Sequence, residues 1–162
     1  MKANMKDKTN VMRKLDSMKL EYKEHFYTHT EAISGVEVAS ALNQDPEQVF
    51  KTLVATGKTG SHYVFMIPVA EELDLKKAAK AVGEKSMEML KMKDLLGLTG
   101  YVHGGCSPIG MKKFFRTTIH QSAADLPTMI FSGGKIGYQV ELGPDELKKL
   151  IKYEFADLVK EI

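Results

Sequence analysis

Two neighbouring segments rich in β-branched and aromatic residues constrain the fold of this chain most strongly. Residues Val49–Thr56 and His62–Val69 share this composition, and a short linker that begins Gly57-Lys58-Thr59-Gly60 separates them. Strand-forming segments joined by a short glycine-containing turn are typical of a β-hairpin. The sequence therefore predicts a hairpin near the centre of the chain, around which the other elements must be arranged.

Helices and further strands are predicted on both sides of this hairpin. We expect helices at about Lys6–Met18, Val36–Leu42, Leu75–Val82, Asp94–Leu98 and Pro144–Ile151, with single helical turns after Asp45-Pro46 and at Phe155–Val159. We expect strands at about Leu20–Tyr27, Met87–Met89, Thr128–Phe131 and Tyr138–Leu142. Helices interspersed among hairpins, rather than alternating regularly with strands, indicate an α+β fold with a mixed, barrel-like sheet.

The composition is that of an ordinary globular domain. The chain has 162 residues, 43% hydrophobic and 27% charged, so we expect a single domain spanning residues 1–162. A single cysteine, Cys106, excludes an internal disulfide and a multi-cysteine zinc site. The first residues are too polar for a signal peptide, and the longest apolar stretch, near His62–Ala70, is too short to span a membrane. We therefore expect a cytoplasmic protein with no membrane partner.

The charge is nearly balanced but unevenly distributed. The formal net charge is +2, yet residues 95–124 contain no Asp or Glu and include Lys112, Lys113 and Arg116. A positive segment in a nearly neutral protein favours contact with an anionic ligand. A solvated surface whose neutralising acids come from elsewhere in the fold explains the pattern equally well.

Two local patterns suggest ligand sites, but the surrounding sequence argues against both. Gly57-Lys58-Thr59 resembles part of a phosphate-binding loop, but Thr52 occupies the position where that loop needs its first glycine. His25 and His29 have the spacing of metal ligands on a helix, but they fall on a predicted strand and loop without a third ligand nearby. We therefore predict no metal and no cofactor.

Cys106 is a further candidate for chemistry, because it follows His103 by three residues. A cysteine–histidine pair can form the nucleophile and base of a hydrolase. A lone cysteine in a cytosolic chain is more often a small packed residue. The second interpretation is the one that we favour.

Lys51 is unusual because it interrupts the apolar strand Val49-Phe50-Lys51-Thr52-Leu53-Val54-Ala55. By strand alternation it shares a face with Val49, Leu53 and Ala55. Burying an ammonium group is costly unless it meets an anion or a polar cavity. Lys51 therefore either extends into solvent from an edge strand or projects its charge into a ligand pocket, and the strand pattern alone does not distinguish the two.

A glycine-rich loop follows Tyr101, with the sequence Gly104-Gly105-Cys106-Ser107-Pro108-Ile109-Gly110. Adjacent glycines allow the backbone to approach a ligand closely. The Ser107 hydroxyl and consecutive amides could bind an anion or the carbonyl oxygen of an acyl group that becomes an oxyanion during hydrolysis. An ordinary connecting loop rich in glycine and proline remains the alternative.

The motifs together resemble one family. They are Val49-Phe50-Lys51-Thr52-Leu53, the segment Leu73-Asp74-Leu75-Lys76-Lys77-Ala78-Ala79-Lys80-Ala81-Val82-Gly83, Thr99-Gly100-Tyr101 followed by Gly104-Gly105-x-Ser107-Pro108-x-Gly110, and Ser132-Gly133-Gly134-Lys135 with Glu141-Leu142. In this order and spacing they resemble the YbaK/EbsC family of free-standing aminoacyl-tRNA editing proteins, which deacylate Cys-tRNA(Pro) and Cys-tRNA(Cys). These proteins are related to the editing domain of bacterial prolyl-tRNA synthetases.

The resemblance implies a mixed, barrel-like sheet surrounded by helices, and hydrolysis of the ester between cysteine and the tRNA 3′ end. It implies that Lys51 is essential and holds the substrate near its terminal adenosine or phosphate, and that Gly104 and Gly105 contact the aminoacyl carbonyl. Further pocket residues that it implies are Tyr27, Ser107, Ser132, Gly133 and, at a position that differs from the family, Gln139. The family uses neither a cofactor nor a protein nucleophile, because the thiol of the substrate cysteine is thought to attack the ester. Prolyl-tRNA synthetase is the partner that the resemblance implies, and DNA is not expected as one.

Two positions depart from the family pattern. Gln139 stands where close relatives have an aspartate that is thought to assist the reaction, which removes any carboxylate role at this position. Cys106 occupies the variable position of the glycine-rich motif, which argues further against a nucleophilic cysteine. Deacylation of another mischarged tRNA, such as Ala-tRNA(Pro), and non-catalytic binding of tRNA or nucleotides are the alternative functions.

Overall fold

A computed structural model describes residues 8–27, 32 and 34–161 of the chain. Its helices are α1 (Asn10–Ser17), α2 (Gly35–Ala41), α3 (Leu75–Val82), α4 (Met92–Thr99) and α5 (Pro144–Lys148), with a 3₁₀ helix at Gln121–Asp125. Its strands are β1 (Lys23–Phe26), β2 (Phe50–Gly57), β3 (His62–Pro68), β4 (Met87–Met89), β5 (Arg116–His120), β6 (Met129–Ser132), β7 (Tyr138–Leu142) and β8 (Tyr153–Ala156).

The central hairpin is confirmed, and it forms the middle of a five-stranded sheet. Strands β2 and β3 pair antiparallel, with Lys51 opposite Ile67 and Val54 opposite Val64. The strand order is β4-β2-β3-β5-β8, in which β5 runs parallel to both β3 and β8. The sheet is therefore mixed, as predicted, and β2 is one of its interior strands.

A second sheet of three antiparallel strands has the order β1-β7-β6. A parallel bridge between Val49 and Ile130 joins it to the larger sheet, and the Ile130 N–H donates to the Gln48 carbonyl at 2.9 Å. The main core lies where the two sheets meet, and it includes Phe50 and Phe131, both almost fully buried. Together with the helices, these two sheets confirm the predicted α+β class.

Helix α3 has the predicted bounds, because both of its ends are specified locally. The Asp74 carboxylate caps its first turn by accepting from the N–H groups of Lys76 and Lys77, at 2.9 and 3.1 Å. Gly83 ends it with a φ of +78°. The buried Ala78 and Ala79 pack against the larger sheet in a cluster that includes Leu53 and Ala55 of β2.

The predicted helical turn at Phe155–Val159 is wrong, because residues 153–156 form strand β8. This strand pairs in parallel with β5, which the sequence analysis did not predict, and Thr117 lies opposite Tyr153. The Tyr153 hydroxyl also donates to the Pro144 carbonyl at 2.7 Å. Pairing between distant segments therefore sets the structure of this region.

Several boundaries also differ from the prediction. Helix α1 begins at Asn10, where the Thr9 hydroxyl caps it by accepting from Met12 N–H, and the start of the predicted helix at Lys6 lies outside the described residues. Strand β1 begins at Lys23, α4 is longer than predicted, and α5 ends at Lys148. The single turn predicted after Asp45-Pro46 is present: the Asp45 carboxylate accepts from the Glu47 N–H at 2.9 Å, and the Gln48 N–H donates to the Asp45 carbonyl at 2.9 Å.

Candidate active site

Lys51 lies on β2, which is interior in the strand order, although β4 pairs with β2 only at Ala55–Gly57 and leaves the Lys51 part of the strand without a β4 partner. Its side chain is on the face that carries Leu53 and Ala55, and the residue is partly buried. Burial lowers the pKa of its ammonium group, while the more weakly acting carboxylates of Glu72 and Glu71 raise it. Within the described part of the chain, no carboxylate oxygen lies within 4.0 Å of its Nζ atom. Lys51 is therefore a partly desolvated cation available to an anionic ligand.

The bridge between the two sheets directs Lys51 and Ser132 toward the same region. Lys51 follows Val49 by two residues, and Ser132 follows Ile130 by two. The two strands run in the same direction at the bridge, and side chains alternate between the two faces of a strand. Lys51 and Ser132, each two residues beyond the bridge, therefore lie on the same face as the side chains of Val49 and Ile130. Among the described residues, however, no hydrogen bond or ion pair joins Lys51 to the loops discussed below.

Ser132 begins a tight loop between β6 and β7. Its hydroxyl oxygen accepts from the Gly134 N–H at 3.1 Å, and the Gly133 N–H donates to the Tyr138 carbonyl at 2.8 Å. Gln139 lies directly opposite Ser132 in the β6–β7 ladder and is almost fully buried. The structure therefore brings Ser132, Gly133 and Gln139 together.

Gln44 contacts the site and was not found by sequence reasoning. It follows α2, and its amide nitrogen donates to the Gln139 Oε1 atom at 2.8 Å. The Gln44 Oε1 atom is buried without a hydrogen-bond partner among the described residues. No local motif marks this residue, because its position beside Gln139 depends on tertiary packing, in which Ala39 of α2 clusters with Val49 and Ile130 at the junction of the two sheets.

The glycine-rich loop packs directly on the loop after Ser132. A Cβ atom on Gly105 would lie 3.2 Å from the Ile136 nitrogen and 3.4 Å from the Lys135 carbonyl carbon. Gly104 has a φ of +90°, a conformation that favours glycine. These two positions therefore favour glycine for different reasons, namely close backbone packing at Gly105 and backbone conformation at Gly104.

Ser107 is fully buried, and its hydroxyl oxygen accepts from the Ile109 N–H at 3.3 Å. The Tyr101 hydroxyl donates to the Ile109 carbonyl in the same loop. The visible contacts of Ser107 therefore stabilise the glycine-rich loop from within.

The backbone of Tyr27 is hydrogen-bonded to the loop between β6 and β7. Its N–H donates to the Gly137 carbonyl at 2.9 Å, and the residue is 9% exposed. Both loops and the end of β1 thus meet around residues 133–137.

The side-chain geometry does not favour a metal site or a cysteine nucleophile. His25 Nε2 lies 2.7 Å from the Glu141 carboxylate, and His29 is outside the described residues. Among the residues that the structure describes, no group of three His, Cys, Asp or Glu side chains could hold a metal ion. Cys106 is packed with Val54 and Phe115, and burial raises its pKa to about 12.

Three cavities, of about 600, 190 and 480 Å³, lie elsewhere on the molecule. The largest adjoins Tyr22, Thr128 and Glu141 at the side of the smaller sheet. Lys51 and Gly104 line none of the three. Across the described residues, no helix combines the length and apolar character needed to cross a membrane.

The sequence and the fold both match known proteins. Residues 29–150 match the family of aminoacyl-tRNA editing domains. A protein of Enterococcus faecalis, provisionally named Cys-tRNA(Pro)/Cys-tRNA(Cys) deacylase EbsC, is 44% identical over 158 residues, covering 97% of this chain and 96% of the relative.

Two crystal structures have similar folds. One, of a provisionally assigned trans-editing enzyme for prolyl-tRNA synthetase, has a TM-score of 0.81 at 24% identity and covers 94% of this chain and 99% of its own. The other, of the hypothetical protein APE2540, has a TM-score of 0.84 at 19% identity and covers 94% and 100%. At these identities both bear on the fold alone, and they support the mixed α+β architecture.

Proposed function

The chain belongs to the family of aminoacyl-tRNA editing domains, and from this premise we propose that it is a free-standing deacylase for tRNA(Pro) mischarged with cysteine. Its deacylase activity follows from the family and from the 44% identical relative. Cys-tRNA(Cys) is a second substrate in this proposal. The scissile bond is the ester between the amino acid and the 3′-terminal adenosine.

The observation that carries the proposal is the state of Lys51. A partly buried ammonium group on an interior strand, with a pKa lowered by burial and no ion pair among the described residues, is unfavourable unless it serves a ligand. An anionic phosphate near the tRNA terminus would replace the water that burial removes. In the proposed complex Lys51 holds this end of the substrate.

The proposed reaction uses the thiol of the substrate cysteine as the nucleophile. Its sulfur attacks the ester carbonyl carbon, a C–S bond forms, and the C–O bond to the ribose breaks. The thiol proton ends on the ribose oxygen, which leaves free tRNA and a cysteine thiolactone. Well-oriented intramolecular attack reaches effective molarities of about 10⁵–10⁸ M, so orientation is the main task of the protein.

In this proposal the protein groups near Lys51 orient the substrate and stabilise its charge, and none of them acts as the nucleophile. The amides of Gly104 and Gly105 are the proposed donors to the oxyanion that develops on the carbonyl. Gln139 has no titratable carboxyl group and is hydrogen-bonded to Gln44, so it positions rather than transfers a proton. Burial raises the pKa of the Cys106 thiol to about 12, so the thiol is protonated at neutral pH, which fits a packing role.

Replacing Lys51 by methionine tests the assignment, because the stem remains and only the charge is lost. Truncating one partner of a buried charged pair costs about 2 kcal/mol or more, which corresponds to a loss of roughly thirtyfold in single-turnover deacylation of Cys-tRNA(Pro). The circular dichroism spectrum and melting temperature should stay near those of the wild type.

Lys77→Met is the matched control. Lys77 lies on neighbouring α3, and its Nζ binds Asp157 at 2.9 Å and the Val159 carbonyl at 2.8 Å. The Lys77→Met variant should have a lower melting temperature than the wild type, and its deacylation rate should stay within a few-fold of the wild-type rate. A wild-type rate for folded Lys51→Met would refute the site.

The acyl group distinguishes the proposed reaction from its alternatives. Cys-tRNA should be hydrolysed much faster than Ser-tRNA or Ala-tRNA, and alkylating the cysteine thiol on the tRNA should stop the reaction. Rapid hydrolysis of Ala-tRNA(Pro) would instead identify a water-based alanyl deacylase. Binding of all these tRNAs without turnover would identify a non-catalytic binding module.

Prolyl-tRNA synthetase is the proposed partner that supplies tRNA selectivity. With a net charge of only +2, the chain carries little general attraction for a polyanion. Adding the synthetase should therefore increase deacylation of Cys-tRNA(Pro) at limiting tRNA concentration. An unchanged rate over the full range of synthetase concentrations would contradict this partnership.

A further inference from the structure

A groove of about 480 Å³ lies between α3 and β4, away from the loops of the candidate site. The buried side chains of Ala79 and Met87 line its inner part. Three exposed lysines, Lys76, Lys80 and Lys85, line it toward solvent. Lys76 and Lys80 are four residues apart and therefore share one side of α3.

These three lysines are not neutralised by nearby acids. Within the described part of the chain, no carboxylate oxygen lies within 4.0 Å of their side-chain nitrogens. Glu84, which also lines the groove, keeps its negative charge, because the hydroxyls of Thr59 and Tyr63 that donate to its carboxylate at 2.5 and 2.6 Å are neutral. Three lysines and one carboxylate give the groove lining a formal charge of +2. The groove therefore has a net positive charge.

Two other basic residues, Lys77 and Arg116, differ in this respect. Lys77 pairs with Asp157, and Arg116 pairs with Glu154 at 3.0 Å. Their charges are already compensated, so they contribute less to any attraction for an anion. The structure thus divides the basic residues of α3, which look equivalent in the sequence, into paired and unpaired sets.

The groove lies on the same face of the larger sheet as Lys51. Lys51, Leu53 and Ala55 share this face, and Leu53 and Ala55 pack in the same cluster as Ala79 of α3. Farther along β2, Gly57 pairs with Met87 of β4, at the end of the groove. At about 3.4 Å per residue, the six steps from Lys51 to Gly57 span roughly 20 Å. A ligand held at Lys51 that extends over α3 would reach the three lysines.

We infer that this groove binds the phosphate backbone of the tRNA strand that leads to the aminoacylated 3′ end. Lysine ammonium groups act as point charges for phosphate and need no particular base sequence. The inference rests on the proposed function for the identity of the RNA. It assigns Lys76, Lys80 and Lys85 to tRNA binding and excludes Lys77, their ion-paired neighbour.

The test measures equilibrium binding of uncharged tRNA to a triple variant, Lys76→Gln, Lys80→Gln and Lys85→Gln, over a range of salt concentrations. For single-stranded contacts the slope of log affinity against log salt changes by about 0.7 per phosphate, so three contacts should make it less negative by roughly 2. Affinity should fall at least tenfold at about 0.1 M salt, and the difference should shrink as salt rises. Glutamine keeps the helix propensity of α3 close to that of lysine.

A second triple variant, Lys14→Gln, Lys148→Gln and Lys152→Gln, provides a matched control. Among the described residues, these exposed lysines also have no carboxylate oxygen within 4.0 Å of their side-chain nitrogens. They lie on the side of the molecule where β8 forms the opposite edge of the larger sheet from β4, and Lys14 adjoins Ile151 there. Its affinity and salt slope should stay near wild type.

Equal loss in both triple variants would overturn the inference, because only net charge would matter. Wild-type binding by the groove variant would overturn it as well. Binding that depends on the groove, in a protein that deacylates no aminoacyl-tRNA, would refute the proposed function and leave the groove assignment intact.

Discussion

A comparison of two glycine substitutions separates backbone strain from a role in the site. Gly104 and Gly60 have nearly the same φ, +90° and +91°. A Cβ atom at Gly104 would meet only the Ile136 side chain at ordinary contact distances of 3.5 and 3.7 Å, and one at Gly60 would meet nothing within 4 Å. Alanine is therefore opposed at both positions by conformation, not by collision.

The expected stability cost is the same for both variants. Placing an L-residue in the left-handed region costs roughly 1–2 kcal/mol, which lowers the melting temperature of a domain of this size by about 2–8 °C. Gly60 lies in the β2–β3 turn, whereas Gly104 lies in the loop whose amides are proposed to receive the oxyanion. A small displacement at a reacting centre can cost about a hundredfold in rate.

We therefore expect Gly104→Ala to reduce single-turnover deacylation of Cys-tRNA(Pro) at least tenfold and Gly60→Ala to leave it within twofold. Rates are measured well below both melting temperatures, which calorimetry provides. Equal rates in the two variants, at equal loss of stability, would refute the proposal that the Gly104 backbone contacts the acyl group.

Two further predictions concern titratable groups. Cys106→Ala should retain activity within a few-fold, and no covalent acyl-enzyme should appear in the mass spectrum of the wild type. The native wild-type thiol should resist iodoacetamide, because burial raises its pKa to about 12. Loss of activity in Cys106→Ala with an intact fold would restore the cysteine-hydrolase alternative. Burial lowers the pKa of Lys51, so its charge is lost at lower pH than that of an exposed lysine. The deacylation rate, corrected for spontaneous hydrolysis, should therefore decline as pH rises through the alkaline range. Lys51→Arg should move this decline to higher pH. At pH values between the native and the unfolded pKa of Lys51, the unfolded chain binds more protons at this residue than the native protein does. The free energy of unfolding therefore increases with pH in this range, and Lys51→Met should lack this increase.

Local signals predicted some elements of the fold completely. Helix α3 has both expected ends because Asp74 and Gly83 act within a few residues of them. Strand β8 was missed because its pairing partner, β5, lies more than 30 residues earlier in the sequence and is parallel to it. The alternation in Tyr153–Ala156 is too short to distinguish a strand from a helical turn without that partner.

The candidate site shows the same division between local and non-local information. The sequence identified Lys51 as an anomaly, but two interpretations remained until the structure showed its ammonium group partly buried, with no carboxylate oxygen within 4.0 Å among the described residues. The packing of Gly105 against residues 135–136 depends on two loops that are 30 residues apart. Gln44 could not be identified, because an isolated glutamine after a helix carries no signal of its own.

The chemistry of the described side chains explains how such a site could spare correctly charged Pro-tRNA(Pro). Cys106 is packed and protonated, and Gln139 is a neutral amide held by Gln44. In the proposed reaction the attacking atom therefore belongs to the substrate. Discriminating small side chains by fit alone provides only about 1–3 kcal/mol. Proline has no thiol, so Pro-tRNA(Pro) that enters the site is not cleaved even if Lys51 holds its 3′ end as firmly as that of Cys-tRNA(Pro). Selectivity then comes from the reactivity of the acyl group, and the protein can use its binding contacts on the part of the tRNA that all substrates share.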